Sequence, residues 1–228
     1  MKAVIINGWG QVYDSISGVL PPEFDNVSHI NYAAFSSWKE LIKTLPKNQD
    51  VDLLIGWSLG GQIAIRLVEN GMIRPKLLVL LATPFQFVAD EKVPYGMNHF
   101  MFQAFRVSFQ MIPGDTLKRF AIMIAEADSN MKKIIKELGI DRHDEYKWLE
   151  WLEDIGSFSC FNVNFDGFPR TLIIHGENDA IVDSRQAALL AGVIPLSHLE
   201  ILPQCGHAPH LHDTEGLRAM IRRELQAL

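Results

Sequence analysis

A chain of 228 residues, 48% hydrophobic and 21% charged, has the composition of a folded globular domain and enough length to bury a core without staples. Its net charge of −6 argues against nucleic acid as the main partner, which would call for a strongly basic face. No apolar run approaches the ~20 residues a membrane span needs, and the two cysteines, Cys160 and Cys205, show neither metal-ligand nor disulfide-framework spacing.

The elements alternate from the start. "AVIIN" (3–7) reads as a strand with no charged leader before it, the pattern of a cytoplasmic protein. "VSHINY" (27–32) is a weaker strand, and "SWKELIKTL" a helix with Ser36 and Ser37 as candidate caps. "VDLLIG" (51–56) is a strand, and "LGGQIAIRLVENG" a helix stopped by Gly71. "LLVLLAT" (77–83) is the next strand. From about Pro84 to Phe168 the rhythm breaks into helical segments: "DTLKRFAIMIAEA", "NMKKIIKELG" and "DEYKWLEWLED". The first puts Leu117, Phe120, Ala121 and Ile124 on one face.

Alternation then resumes with "TLIIHG" (171–176), "DSRQAALLAG", "HLEIL" (198–202) and "DTEGLRAMIRREL". Near-continuous apolar runs suit parallel strands covered on both faces. The expectation is one α/β domain over 1–228, with a helical insertion at about 84–168 packed over the sheet as a lid.

Gly56-Trp57-Ser58-Leu59-Gly60 satisfies G-x-S-x-G with a strand before it and a helix after it. In that context the serine sits on a strained elbow, and its neighbours must be small to let strand and helix pass. Ser58 is therefore the candidate nucleophile, and the Leu59 amide a candidate oxyanion donor. A nucleophilic serine needs a base and an orienting acid, in the chain order serine, acid, histidine.

Asp179, just past "TLIIHG", is the first choice for the acid, with Glu177 and Asp183 as alternatives; Asp183 is better placed to cap the next helix. His207, in "QCGHAPH" after the last strand, is the candidate base; His210 and His212 compete with it, and His175 at a strand end reads as structural. The second oxyanion donor is expected from the loop "NGWG", as the N–H of Trp9 beside Gly8. Trp9 and Trp57 either wall the pocket or pack in the core.

"NGWG", "GWSLGG", "HGENDAIV" and "CGHAP", in this order, resemble the α/β-hydrolase superfamily over nearly the whole chain. Within it they are most similar to the pimeloyl-acyl carrier protein methyl ester esterases of the BioH type. The resemblance implies a Ser58–Asp179–His207 triad with Trp9 and Leu59 at the oxyanion. It implies hydrolysis of an acyl ester, the methyl ester of pimeloyl-carrier protein, releasing methanol in biotin synthesis. The family loop usually reads His-Gly-Trp-Gly; Asn7 stands here in place of that histidine, so a different hold on the oxyanion loop is expected. The early start on this strand also implies a sheet of about six strands.

The aromatic and methionine run Phe85, Phe87, Met97, Phe100, Met101, Phe102, Phe105, Phe109 and Met111 supplies core and, in part, an acyl slot. The insertion also carries Arg106, Lys118, Arg119, Lys132, Lys133 and Lys136. Such cations are commonly a solvated helix face. By the resemblance Arg119, Lys132, Lys133 and Lys136 would receive an acidic carrier protein, with Arg142 and Lys147 as weaker candidates among acids. No metal or organic cofactor is expected: Asp, His and Cys gather near 205–213, but serine is the better partner for His207. A hydrolase of another ester, thioester or lactone, or a binding protein on the same scaffold, are the alternative readings.

Overall fold

The computed structural model describes residues 1–140 and 145–228; Arg142 lies outside the described residues. Six strands form one sheet: β1 (Lys2–Ile6), β2 (Asn26–His29), β3 (Gln49–Trp57), β4 (Ile73–Leu81), β5 (Arg170–Gly176) and β6 (Ser197–Leu202). Every pairing is parallel, in the order β2-β1-β3-β4-β5-β6. The Leu-, Ile- and Val-rich ends of β3, β4 and β5 are buried throughout, as strands covered on both faces require. The outer strands are different. β2 alternates exposed and half-buried residues and is shorter than "VSHINY" suggests, while β6 at the other edge is only half-buried over most of its length.

The order of strands fixes where a site can form. From β1 the chain moves outward to β2, then returns to β3 on the opposite side. The loops leaving β1 and β3 therefore diverge, and such a switch point opens a crevice at the carboxyl ends of the strands. Ile6 is paired in register with Gly56, so residues 7–11 and 57–59 emerge side by side.

The helices are α1 (Asp14–Ser17), α2 (Trp38–Thr44), α3 (Leu59–Glu69), α4 (His99–Met111), α5 (Pro113–Ala125), α6 (Met131–Glu137), α7 (Glu145–Ser157), α8 (Arg185–Val193), α9 (Pro209–His212) and α10 (Thr214–Gln226). Their ends follow local chemistry. The Ser37 side chain accepts the Glu40 amide at the start of α2, Pro113 opens α5, and Gly71 lies just past α3 with φ 63°. The insertion between β4 and β5 holds α4–α7, with α4 packed on α5 and α7. Among the described residues no helix is long and apolar enough to cross a membrane.

Helix α4 has no counterpart in the sequence reading. Its inward residues Phe102 and Phe109 are buried, whereas Phe100 and Met111 are 83% and 76% exposed. Apolar residues on both faces blur the 3.6-residue period that reveals an amphipathic helix. Asn98 is the local signal, its side-chain oxygen accepting the Phe100 amide at 2.9 Å.

The far side of the sheet is tied by a buried carboxylate on α10. Glu224 accepts hydrogen bonds from Arg170 Nε of β5 at 2.6 Å and His198 Nδ1 of β6 at 2.8 Å. Burial opposes its ionisation, but those two partners outweigh it and hold the carboxyl below its ordinary range. Glu224→Gln places an amide against one of two donors, and should cost about 1–3 kcal/mol of stability. A urea titration should show a lower midpoint with an unchanged slope.

Candidate active site

The chain leaves β3 through a single residue in the left-handed region: Ser58 has φ 55° and ψ −120°. A non-glycine residue held there is strained by about 1–3 kcal/mol and persists only where its surroundings force it. Here they do. A Cβ on Gly56 would lie 2.4 Å from the Gly60 carbonyl oxygen, and one on Gly60 only 2.3 Å from the carbonyl oxygen of Ile6. Helix and strands thus meet backbone to backbone, and the Ser58 N–H is pinned by the Leu81 carbonyl at 2.8 Å.

Above that turn three side chains line up. Ser58 Oγ lies 3.0 Å from His207 Nε2, and His207 Nδ1 lies 2.7 Å from Asp179 Oδ2. Asp179 Oδ1 accepts the amides of Ile181 and Val182, both at 2.9 Å. With Asp179 ionised, the His207 Nδ1–H donates to it and Nε2 is left to accept the serine hydroxyl. Burial works against the Asp179 charge, yet the charge of His207 and hydrogen bonds from His175 and His207 hold its carboxyl well below the usual carboxylate range. The group is an acceptor at every working pH.

His175 has a larger part here than a strand-end histidine suggests. Its Nε2 is 3.0 Å from Asp179 Oδ2 and 2.8 Å from the Val182 carbonyl. Two imidazoles therefore converge on one carboxylate oxygen. The sequence signal was present: His175 and Asp179 are four residues apart across the turn that ends β5.

The competing residues go elsewhere. Glu177 is exposed. Asp183 accepts the Arg185 amide at 2.9 Å at the start of α8 and also binds the Arg185 guanidinium. His210 packs edge-on against Trp57, ring centroids 4.4 Å apart, and His212 pairs with Asp128 at 3.0 Å.

Trp57 is buried beneath the site, its indole N–H donating to the His207 carbonyl at 2.8 Å. Trp9 instead lines the cavity beside Ser58, and its indole N–H is bound by the Trp148 carbonyl of α7 at 2.7 Å.

The loop after β1 is held by the residue that departs from the family pattern. The Asn7 amide donates to the carbonyls of Gly8 and Gln11, while its oxygen lies 2.7 Å from His29 Nε2. Burial lowers the pKa of His29, so a neutral ring donates to Asn7. One buried amide thus ties β2 to both ends of the Gly8–Gln11 turn. The Leu59 N–H opens α3, where first-turn amides have no intrahelical partner.

Against Ser58 lies an apolar cavity of only about 20 Å³, walled by Trp9, Phe87, Phe105, Phe120, Leu152 and Ile155. That is room for about one water. Met97 and Met123 also line it, and the same two residues line an open groove of about 340 Å³ running past Tyr95, Asn98 and Ile181. Two flexible thioethers are thus the partition between the enclosed space and the groove.

The sequence profile of the alpha/beta hydrolase family matches residues 6–219. The chain belongs to that family. The hydrolase is 28% identical over 201 residues to the biotin biosynthesis bifunctional protein BioHC of Teredinibacter turnerae, a match covering 82% of this chain and 35% of that protein's length. It is 25% identical over 252 residues to the pimeloyl-[acyl-carrier protein] methyl ester esterase of Aromatoleum aromaticum, covering 96% and 95% of the two chains. In fold it is similar to the esterase EaEST from Exiguobacterium antarcticum, with a TM-score of 0.77, 18% identity and coverage of 99% and 92%.

The neighbourhood of His207 also gives the hydrolase a pH-dependent weakness. Burial, with a smaller contribution from the charge of His207, pushes His210 down to about 3. Unfolded, the same ring titrates near 6.5, so below that pH the unfolded chain takes up a proton that the folded chain refuses. Stability is unaffected above about pH 6.5 and falls between there and about pH 3, by up to about 1.4 kcal/mol per pH unit. His210→Phe keeps an edge contact on Trp57 and should flatten that acid limb. Thermal melts at pH 7.5 and pH 5 should show a smaller drop for the variant than for the wild type.

Proposed function

We propose that this hydrolase is a serine carboxylesterase that hydrolyses the methyl ester of a pimeloyl chain carried on acyl carrier protein, releasing methanol and the free carboxylate. The observation that carries the reaction class is the Ser58–His207–Asp179 relay, at 3.0 and 2.7 Å on a strained elbow. The substrate is inferred from the names of relatives at modest identity, one of them aligned along 95% of its length.

In this reading Ser58 Oγ attacks the ester carbonyl while His207 Nε2 takes its proton. The tetrahedral oxyanion receives the N–H groups of Leu59 and Trp9, either one worth about 10²–10³ in turnover. His207 then gives its proton to the departing methoxide, which leaves as methanol. A water attacks the acyl-enzyme, losing its proton to His207; the intermediate then collapses, His207 returns that proton to the departing Ser58 Oγ, and the carboxylate is released. Asp179 stays ionised throughout, holding the Nδ1–H tautomer and countering the imidazolium charge. Asn7 takes over the task of the family histidine by fixing the loop that presents Trp9.

The insertion 84–168 is the lid. It supplies the apolar wall of the cavity, and displacement of Met97 and Met123 would join that cavity to the open groove and admit an acyl chain. Arg119, Lys132 and Lys136 are exposed on α5 and α6 and would face an acidic carrier. Lys133 is partly committed, since its Nζ donates to the Leu211 carbonyl at 2.9 Å. Arg106 and Lys118 are paired with Glu153 and Asp115.

The test compares pimeloyl-carrier-protein methyl ester with p-nitrophenyl acetate. Wild type should strongly prefer the carrier ester; Ser58→Ala should lose both activities and keep its melting temperature. Turnover of the small ester alone would leave an esterase of a different acyl substrate, and silence on both would favour a binding protein. Asp179→Asn should lower kcat by about 10⁴ through the wrong histidine tautomer. Exposed steering charges act mainly on encounter. Arg119→Glu with Lys136→Glu should therefore raise KM for the carrier ester about tenfold, with a weakened salt dependence, and leave the small ester unchanged. Equal loss on both substrates would end the docking proposal.

A further inference from the structure

Asp128, in the turn between α5 and α6, has a buried carboxylate whose two oxygens are both engaged. Oδ1 accepts the Asn130 amide at 2.6 Å, Oδ2 accepts the Gly206 amide at 2.8 Å, and His212 Nδ1 approaches the pair at 3.0 and 3.1 Å. Cys205 lies close enough to complete a three-residue cluster within 4.8 Å. The chemistry of that cluster is not that of a metal site. Burial, and then the charges of Asp128 and Asp179, push the Cys205 thiol far up, away from the thiolate a metal would need. The carboxylate oxygens are already taken by N–H donors.

What the cluster grips is the segment that carries His207. Besides Gly206, the His207 N–H donates to the Ile124 carbonyl at 3.2 Å, and the Ser129 N–H donates to the Gln204 carbonyl at 3.0 Å. The Asn178 side chain, next to Asp179, donates to the Ala127 carbonyl at 3.2 Å. Both sides of the joint hold a non-glycine residue in the left-handed region, Ala127 at φ 60° and Gln204 at φ 56°. A Cβ on Gly206 would already meet the Glu126 carbonyl oxygen at 3.0 Å. The insertion therefore does more than cover the sheet.

We propose that Asp128 is a positioning residue for the reaction: through the Gly206 amide and His212 it fixes the 204–207 loop, and so holds His207 Nε2 on Ser58. The proposal rests on the serine-esterase reading. Asp128 does not reach Ser58; it acts through the backbone of its neighbour. An isosteric Asp128→Asn leaves one oxygen for three donors and sets an NH₂ against one of them. The loop must then shift, and a misplacement of about 1 Å at a reacting group costs about 10²-fold.

The decisive experiment measures Ser58 phosphonylation by an alkyl fluorophosphonate, in which Oγ–P forms, P–F breaks, fluoride leaves and His207 takes the hydroxyl proton. Asp128→Asn should slow it at least about tenfold, with KM for p-nitrophenyl acetate unchanged and the far-downfield proton resonance of the His207–Asp179 hydrogen bond lost or broadened. Glu224→Gln, a buried-carboxylate variant remote from the site, serves as the control for lost stability and should react at the wild-type rate.

A wild-type rate and intact resonance in Asp128→Asn would overturn the proposal, as would an equal slowing in Glu224→Gln. Should Asp128→Asn not fold, His212→Gln removes only the outer partner; it should slow phosphonylation about threefold, and no change would refute the positioning role. A wild-type Ser58 that never reacts would sink the esterase reading alone. The resonance, compared between wild type and Asp128→Asn, would still decide for or against Asp128.

Discussion

Helix α3 lies as close to β1 as two backbones allow, and the rest of the site is arranged around that approach. At Gly60 the space for even a methyl group is taken by the carbonyls of Ile6 and Asn7. The contact sets the first turn of α3 directly against the loop that leaves β1. Ser58, the single residue between β3 and α3, takes up the sharp turn with a positive φ. The contact also sends the neighbouring Trp57 side chain downward, under the loop after β6, where the indole holds the His207 carbonyl. The proposed nucleophile, oxyanion donors and base are thus placed by one short segment and the glycines that make it possible.

The electrostatic half of the site is the buried Asp179 charge. An isolated carboxylate in that position would be neutralised. Four donors keep it ionised: two backbone amides on one oxygen, two imidazoles on the other. The amides come from the turn that follows β5, so the carboxylate is oriented before either histidine is considered. His175 and His207 then share a single oxygen. Under the proposed mechanism an imidazolium at His207 would form beside an anion whose position is independently fixed. Such an arrangement would be preorganised charge stabilisation, requiring little movement at the moment of reaction.

Much of this was legible in the sequence because parallel strands and the elbow are written in local chemistry. The six apolar runs, the G-x-S-x-G turn, and the glycine and carboxylate after β5 each satisfy a constraint within ten residues of themselves. Three features escaped. Helix α4 is apolar on both faces, which hides its period. His175 reads as structural until the turn after β5 folds back and brings Asp179 beside it. The Asp128–Gly206 contact joins residues 78 apart in sequence, and no short-range pattern encodes such a distance. Asn7 is an intermediate case: the departure from the family loop was visible, but how an amide holds that loop depends on His29 from the neighbouring strand.

The insertion connects the cavity at Ser58 to the proposed base in a way that neither end of α5 reveals alone. Phe120 and Met123 line the cavity at Ser58, and Ile124, the next residue, accepts the His207 amide. The following turn supplies Asp128 to Gly206. The cavity holds about one water, so in the proposed reaction an acyl chain would enter only if Met97 and Met123 gave way. Met123 is a flexible side chain and can move without its helix; Ile124 binds through its backbone carbonyl, which moves only if the helix does. On that proposal the two demands separate along one turn of α5: soft side chains would yield to an acyl chain, while the backbone that carries them keeps His207 in register.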